Sequence, residues 1–297
     1  MARHFFKRHQ GRGSYDLFSS YSHYLPGLGG MMMLLLMFLI GALLGNIVLA
    51  GLGLVLGNGF TTDYGTIISY PVMFIPPLLY ASVQSRLNEY STEAVPLDSS
   101  NFGNLGGFKL GIICTLSTIA AAFIVEPVTV LLPEMPSWLE EVMRKMLEDT
   151  PLWVTLISVS VFAPLFEEWL CRGLVLRGML KSMRPGSAIA VSAVFFAVLH
   201  ANPWQAIPAF CLGLLFGYVY YKTGSLKLTM LMHCVNNTMA VIISNIPRFK
   251  DAETFMDILS PWAYAGVYVA CALIVISSLV IYRLLPSRKG QGQEASS

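Results

Sequence analysis

The chain has 297 residues, of which 55% are hydrophobic and 12% charged, with a mean hydropathy of +0.62. That charged fraction is about half of what a soluble domain carries, and the long unbroken apolar runs exclude the alternating pattern of an outer-membrane barrel. A formal net charge of +2 gives no sign of a nucleic-acid partner. The class left is an all-α membrane protein. Its five cysteines all lie in apolar runs without CxxC pairs, which reads as small buried hydrophobes rather than disulfides or a thiolate metal site.

Spanning a bilayer takes about 20 apolar residues, and eight segments meet or approach that length: 31–56, 65–83, 108–132, 152–180, 187–201, 204–221, 227–246 and 261–284. The organisation expected is a cytoplasmic tail over 1–30, a polytopic domain over 31–285 and a flexible tail over 286–297, with 84–106 as a flexible connection. The first apolar run is too long for a signal-peptide core and should remain as a helix. Its Gly41 and Gly45 fit close packing against a neighbouring helix of the same chain. Pro71, Pro76 and Pro77 predict a kinked or locally opened second helix. Residues 133–150 read as an amphipathic helix on the membrane surface.

With eight spans both termini share a side. That side collects fifteen of the nineteen Lys and Arg residues, Arg172 among them, and leaves Arg144, Lys145, Arg248 and Lys250 on the other. The bias predicts cytoplasmic termini in a multi-pass plasma-membrane protein.

One stretch of the fourth apolar segment needs a reason to exist. Phe166-Glu167-Glu168-Trp169-Leu170-Cys171-Arg172 holds three ionisable groups, and each would cost at least ~2.5–3.5 kcal/mol at the bilayer centre. Glu168 and Arg172 are four apart with the acid first, the better order for a pair. Glu167 points ~100° away and lacks that partner. It is then free to face a cavity, where a poorly hydrated carboxylate suits a general base.

Two later segments carry His200 and His233, the second followed by Asn237 four residues on. A hairpin turning at Met183–Gly186 places Glu167 ~27 Å and His200 ~22 Å from the turn, so the two side chains should meet across it. His233 lies only ~13 Å beyond the next turn, so it joins them only if the first hairpin projects ~10 Å further. Taken singly, each piece has a plainer reading: a structural ion pair, packing histidines, an interhelical amide. Together, on three helices, they predict one catalytic cavity between the fourth, fifth and seventh spans.

The ordered motifs Glu-Glu-x-x-x-Arg (167–172), Phe-x-x-x-His (Phe196 to His200) and His-x-x-x-Asn (His233 to Asn237) resemble the CPBP family of intramembrane proteases, over roughly 150–246. That family includes the Ras-converting CAAX prenyl endopeptidases and the Abi proteins linked to bacteriocin processing. The resemblance implies eight helices and an endopeptidase. It implies that Glu167 and His200 activate water, that His233 and Asn237 stabilise the oxyanion, and that Glu168 and Arg172 support them, with Phe196 the other motif position. The substrate would be a membrane-associated peptide or, in a host that prenylates, a prenylated protein.

Glu167, His200 and His233 are also an acceptable zinc set with water as fourth ligand, but no HExxH helix is present. The expectation is a metal-free, glutamate-activated water. A proton-coupled transporter is the first rival and predicts inverted repeats, of which the sequence shows none. A silent scaffold or immunity protein of the same fold is the second, and it would tolerate loss of Glu167 or His200.

Overall fold

The computed structural model describes residues 18–145, 150–249, 252 and 254–285. Residues 1–17 of the tail read over 1–30, the tail over 286–297 and residues 146–149 of the surface helix read over 133–150 lie outside the described residues. Among the described residues nine principal helices follow in chain order: α1 Leu28–Leu56, α2 Asn58–Asn88, α3 Gly106–Val125, α4 Ser137–Arg144, α5 Leu152–Ser182, α6 Pro185–Leu199, α7 Pro203–Thr223, α8 Leu226–Ser244 and α9 Pro261–Leu284. Among the described residues there is no strand, and the protein is an all-α, multi-pass membrane protein.

Every apolar segment read from the sequence is occupied by a helix, but the count of eight spans is not reproduced. Among the described residues six helices are long and apolar enough to cross a membrane: α1, α2, the run Gly103–Leu131 that contains α3, α5, α8 and α9. The 15-residue α6 is apolar but short, rising only ~22 Å against a ~30 Å hydrocarbon core. α7 is 21 residues long but is diluted by Gln205, Lys222 and three tyrosines near its end, and it falls outside the six.

Exposure sorts the helices by depth in the bundle. The apolar window of α5 is 61% buried, whereas that of α9 is 6% buried and that of α1 22%. The helix carrying the acid pair is thus the centre, and α1 and α9 show apolar side chains outward, as lipid-facing helices must. Arg172 lies in that centre, fully buried. It belongs with the core pair and not with the flanking charges that vote on orientation.

α1 and α2 form a close antiparallel hairpin, and its contact is the small-residue pattern seen in the sequence. A methyl group added at Gly41 would overlap the Met73 carbonyl, and one at Gly45 would touch Ser69 at 3.4 Å. Met73 is four residues before Pro77, which has no N–H to give it. The freed carbonyl instead lies against the Gly41 backbone, the close approach in which Cα–H···O contacts form. Gly41→Val is expected to cost about 1–3 kcal/mol by overpacking, read as lowered thermal stability in detergent. An unchanged midpoint would mean the helices are not held at this distance.

The 84–106 connection is a correction. α2 runs on to Asn88, and beyond it the chain is pinned: Leu97 is fully buried and its carbonyl accepts from the Tyr220 hydroxyl at 2.7 Å. Ser99 N–H reaches the Gly224 carbonyl at 2.9 Å, and Asn101 N–H reaches that of Thr223 at 2.7 Å. Arg177, nearly fully buried, donates to the carbonyls of Val95, Tyr21 and Tyr24. This guanidinium ties the connection and residues 18–27 to α5, so the latter are packed structure where the sequence reads a tail. Burial there pushes the phenols of Tyr21 and Tyr24 above their ordinary pKa.

Candidate active site

α5 is not a uniform helix. Leu156–Phe162 and Trp169–Leu176 are π-wound, flanking an α-helical Ala163–Glu168. Such wide turns leave backbone groups for other partners and recur at functional sites. In the first π stretch Ala163 N–H goes to the Ser158 carbonyl. The next donor in that register would be residue 164, a proline, so Val159 has no N–H to receive. Asn237 of α8 fills the place, its Nδ2 donating to the Val159 carbonyl at 2.8 Å. The amide expected to face a cavity is therefore committed in part to holding α8 against α5.

The acid pair separates as its spacing predicts. Arg172 Nη1 lies 2.5 Å from Glu168 Oε1, both side chains fully buried, and Nη2 donates to the Gly213 carbonyl of α7 at 3.1 Å. The guanidinium also sits between two aromatic faces, 4.6 Å from the Phe196 centroid and 5.5 Å from that of Phe216. Here cation–π contact supplies what solvation would supply outside. Phe196, the other motif position, thus packs directly on the ion pair.

Glu168 has a second partner that the sequence did not reveal. His233 Nδ1 lies 3.0 Å from the same Oε1. An ionised carboxylate only accepts, so Nδ1 carries a proton and Nε2 is the nitrogen left to work. That Nε2 is 3.9 Å from Glu167 Oε2.

Glu167 itself is buried and unpaired with Arg172. Its Oε1 accepts from the Tyr70 hydroxyl of α2, and its Oε2 makes no hydrogen bond among the described residues. Tyr70 was missed in the sequence. The available signal was its place beside Pro71 in an opened helix, but nothing local says which helix it faces.

His200 lies at the end of its helix rather than inside it. α6 ends at Leu199, so His200 is the capping residue, and its Nδ1 turns back to the Phe196 carbonyl at 3.0 Å. The last carbonyls of a helix lack intrahelical donors, and a C-terminal histidine serves them readily. No hydrogen bond or ion pair joins His200 to Glu167 among the described residues. The two histidines instead flank one ring, Phe196, at 5.0 and 5.3 Å between centroids, both edge-on. Because a carbonyl only accepts, Nδ1 of His200 carries its proton and Nε2 of the neutral ring is an acceptor. The turn that follows is fixed by Asn202, which accepts from Gln205 N–H at 2.9 Å and donates to the His200 carbonyl at 2.9 Å. Between them Ala201 adopts φ +56°, a left-handed conformation costly for a residue with a Cβ.

Among the described residues no group of three or more His, Cys, Asp or Glu side chains is placed to hold a metal ion. His233 Nδ1 is taken up by Glu168 and His200 Nδ1 by a backbone carbonyl, which leaves Nε2 as the nitrogen either ring offers to another group. A groove of about 660 Å³ between α3 and α8, lined by Phe102, Phe108, Ile112, Leu116, Lys227 and Leu231 among others, contains none of the motif side chains and carries no argument about the chemistry.

Comparison with known proteins adds one finding. No curated protein and no solved structure gives a significant match. Residues 149–239 match the family model described as Type II CAAX prenyl endopeptidase Rce1-like. That segment contains every side chain of the site except Tyr70, and over it the chain is similar to the CAAX prenyl endopeptidases.

Proposed function

We propose that the protein is an intramembrane endopeptidase that hydrolyses a peptide bond of a membrane-associated substrate with Glu167 as the general base. The observation that carries this reading is the asymmetry of Glu167: one oxygen held by Tyr70, the other buried, without a hydrogen bond among the described residues, and 3.9 Å from His233 Nε2. A buried carboxylate oxygen without a donor is costly, which supports a working role over a structural one. What sets the neighbouring Glu168 apart is its counter-charge, since it too buries an oxygen without a hydrogen bond among the described residues. It is neutralised by Arg172 and spends itself on orienting His233.

In this mechanism Glu167 Oε2 takes a proton from water as the water oxygen attacks the scissile carbonyl. His200 Nε2 accepts the other water hydrogen and fixes the direction of attack. The oxyanion receives Nε2–H of a doubly protonated His233 and the second amide hydrogen of Asn237. Preorganised donors of this kind are worth several kcal/mol in a site closed to water. A charged His233 would also bring Glu167, Glu168, Arg172 and His233 to zero net charge together, which limits the cost of keeping four ionisable groups out of water. When the intermediate collapses, the proton held by Glu167 passes to the leaving nitrogen.

The Lys- and Arg-rich face, and with it the termini, lies on the cytoplasmic side in this reading, so substrates are cut at or near that side. They are peptides or prenylated proteins held in the bilayer. The direct test is mass spectrometry of membrane peptides, with and without a prenyl thioether, after incubation with the reconstituted protein. A defined new C-terminus is the expected product, and peptides left intact in both forms would reject the proposal. No step requires a metal, so a strong chelator is expected to leave the rate within about twofold. Loss of activity that zinc restores would overturn the metal-free mechanism.

A further inference from the structure

We propose that Tyr70 is a positioning residue for the base: its phenol fixes Oε1 of Glu167 and thereby selects Oε2 as the oxygen that meets water. This rests on the reading of Glu167 as the base. The terminal torsion of a glutamate is broad and nearly two-fold, so an unheld carboxylate presents either oxygen in a spread of directions. Tyr70 removes that freedom from another helix, 97 residues away in sequence.

The phenol is itself held. The Tyr70 ring stacks on Phe74 at 5.7 Å and 27°, and Phe74 stacks on Phe166 at 5.0 Å and 14°. Phe74 is fully buried and takes the edge of Phe38 at 5.4 Å. Phe166 immediately precedes Glu167, so one aromatic ladder sets both the donor on α2 and the backbone that carries the acceptor on α5. Pro71 adds to this from the other end. It sits inside α2, has no N–H for the Ile67 carbonyl and restricts the backbone of Tyr70. The proline that the sequence left without a role thus lies where α2 must aim one side chain.

Tyr70→Phe keeps the ring ladder and deletes only the hydroxyl. The expected result is kcat lower by about ten- to hundredfold, the scale of a misplaced reacting group, with KM within about twofold. Glu167→Asp withdraws the carboxylate from Tyr70, so adding Tyr70→Phe to it should change kcat by less than about twofold if the two side chains act as a unit. Tyr70→Gln keeps a donor and Tyr70→Leu does not. The first should turn over at least about tenfold faster, whereas a simple brace between helices would move thermal stability and not kcat. Wild-type kcat from Tyr70→Phe, or equal rates from Tyr70→Gln and Tyr70→Leu, overturns the positioning role while Glu167→Gln remains inactive. An active Glu167→Gln overturns the base assignment itself.

Discussion

Arg172→Met is expected to destabilise the protein by about 3–5 kcal/mol, because it leaves the Glu168 carboxylate buried without its counter-charge. The substitution removes more than one contact. The guanidinium holds Glu168 Oε1, the Gly213 carbonyl and the faces of Phe196 and Phe216, so it joins α5 to α6 and α7. Glu168→Leu combined with Arg172→Met should recover most of the stability, since an apolar pair of similar volume avoids burying charge at all. The recovered fold should still be inactive, because His233 would lose the carboxylate that orients its Nδ1. Equilibrium unfolding in detergent micelles measures the first effect and turnover measures the second. A single Arg172→Met variant as stable as wild type would show that the pair is not the centre of the fold.

Glu167→Gln is expected to lower kcat by about 10³-fold, within the range that a positioned general base contributes. The amide matches the carboxylate in shape, and it accepts from Tyr70 through its oxygen, so the stability of the variant should stay close to wild type. Glu168→Gln should behave differently. It weakens the bond to Arg172, so its loss of activity should come with a loss of stability. The two neighbouring glutamates are thus separable by one pair of assays, which follows from their different surroundings.

The sequence shows most of the fold and the local half of the site. Helix positions were legible because an apolar run of the right length has few other structures open to it in a bilayer. The Glu168–Arg172 pair was legible because four residues on one helix face is a local relation. What was not legible is tertiary. The Tyr70 contact with Glu167, and that of Glu168 with His233, join helices whose relative rotation no periodicity reveals. His200 was placed inside a helix because its apolar neighbours run on to Ala201, yet the chain turns at Asn202-Pro203, where the cap and the proline begin α7. The π-wound turns of Trp169–Leu176 leave no local pattern in the sequence either. The 84–106 stretch has no period to read and is held by backbone hydrogen bonds, which leave little mark on composition.

The partial commitment of Asn237 was within reach of the sequence. Pro164 in a buried helix must free a carbonyl, and an amide three apolar segments later is a suitable donor. It was read instead only with His233, its neighbour on the same face.

The central claim is that Glu167 performs hydrolysis on a substrate bound among α2, α5 and α8. The most direct measurement is to purify the Glu167→Gln variant from membranes under mild conditions and identify by mass spectrometry what it holds. The account predicts an uncleaved membrane peptide or lipidated protein retained by Glu167→Gln, which the wild-type protein converts to a shortened product. Cleavage of that same molecule by Glu167→Gln at the wild-type rate would contradict it.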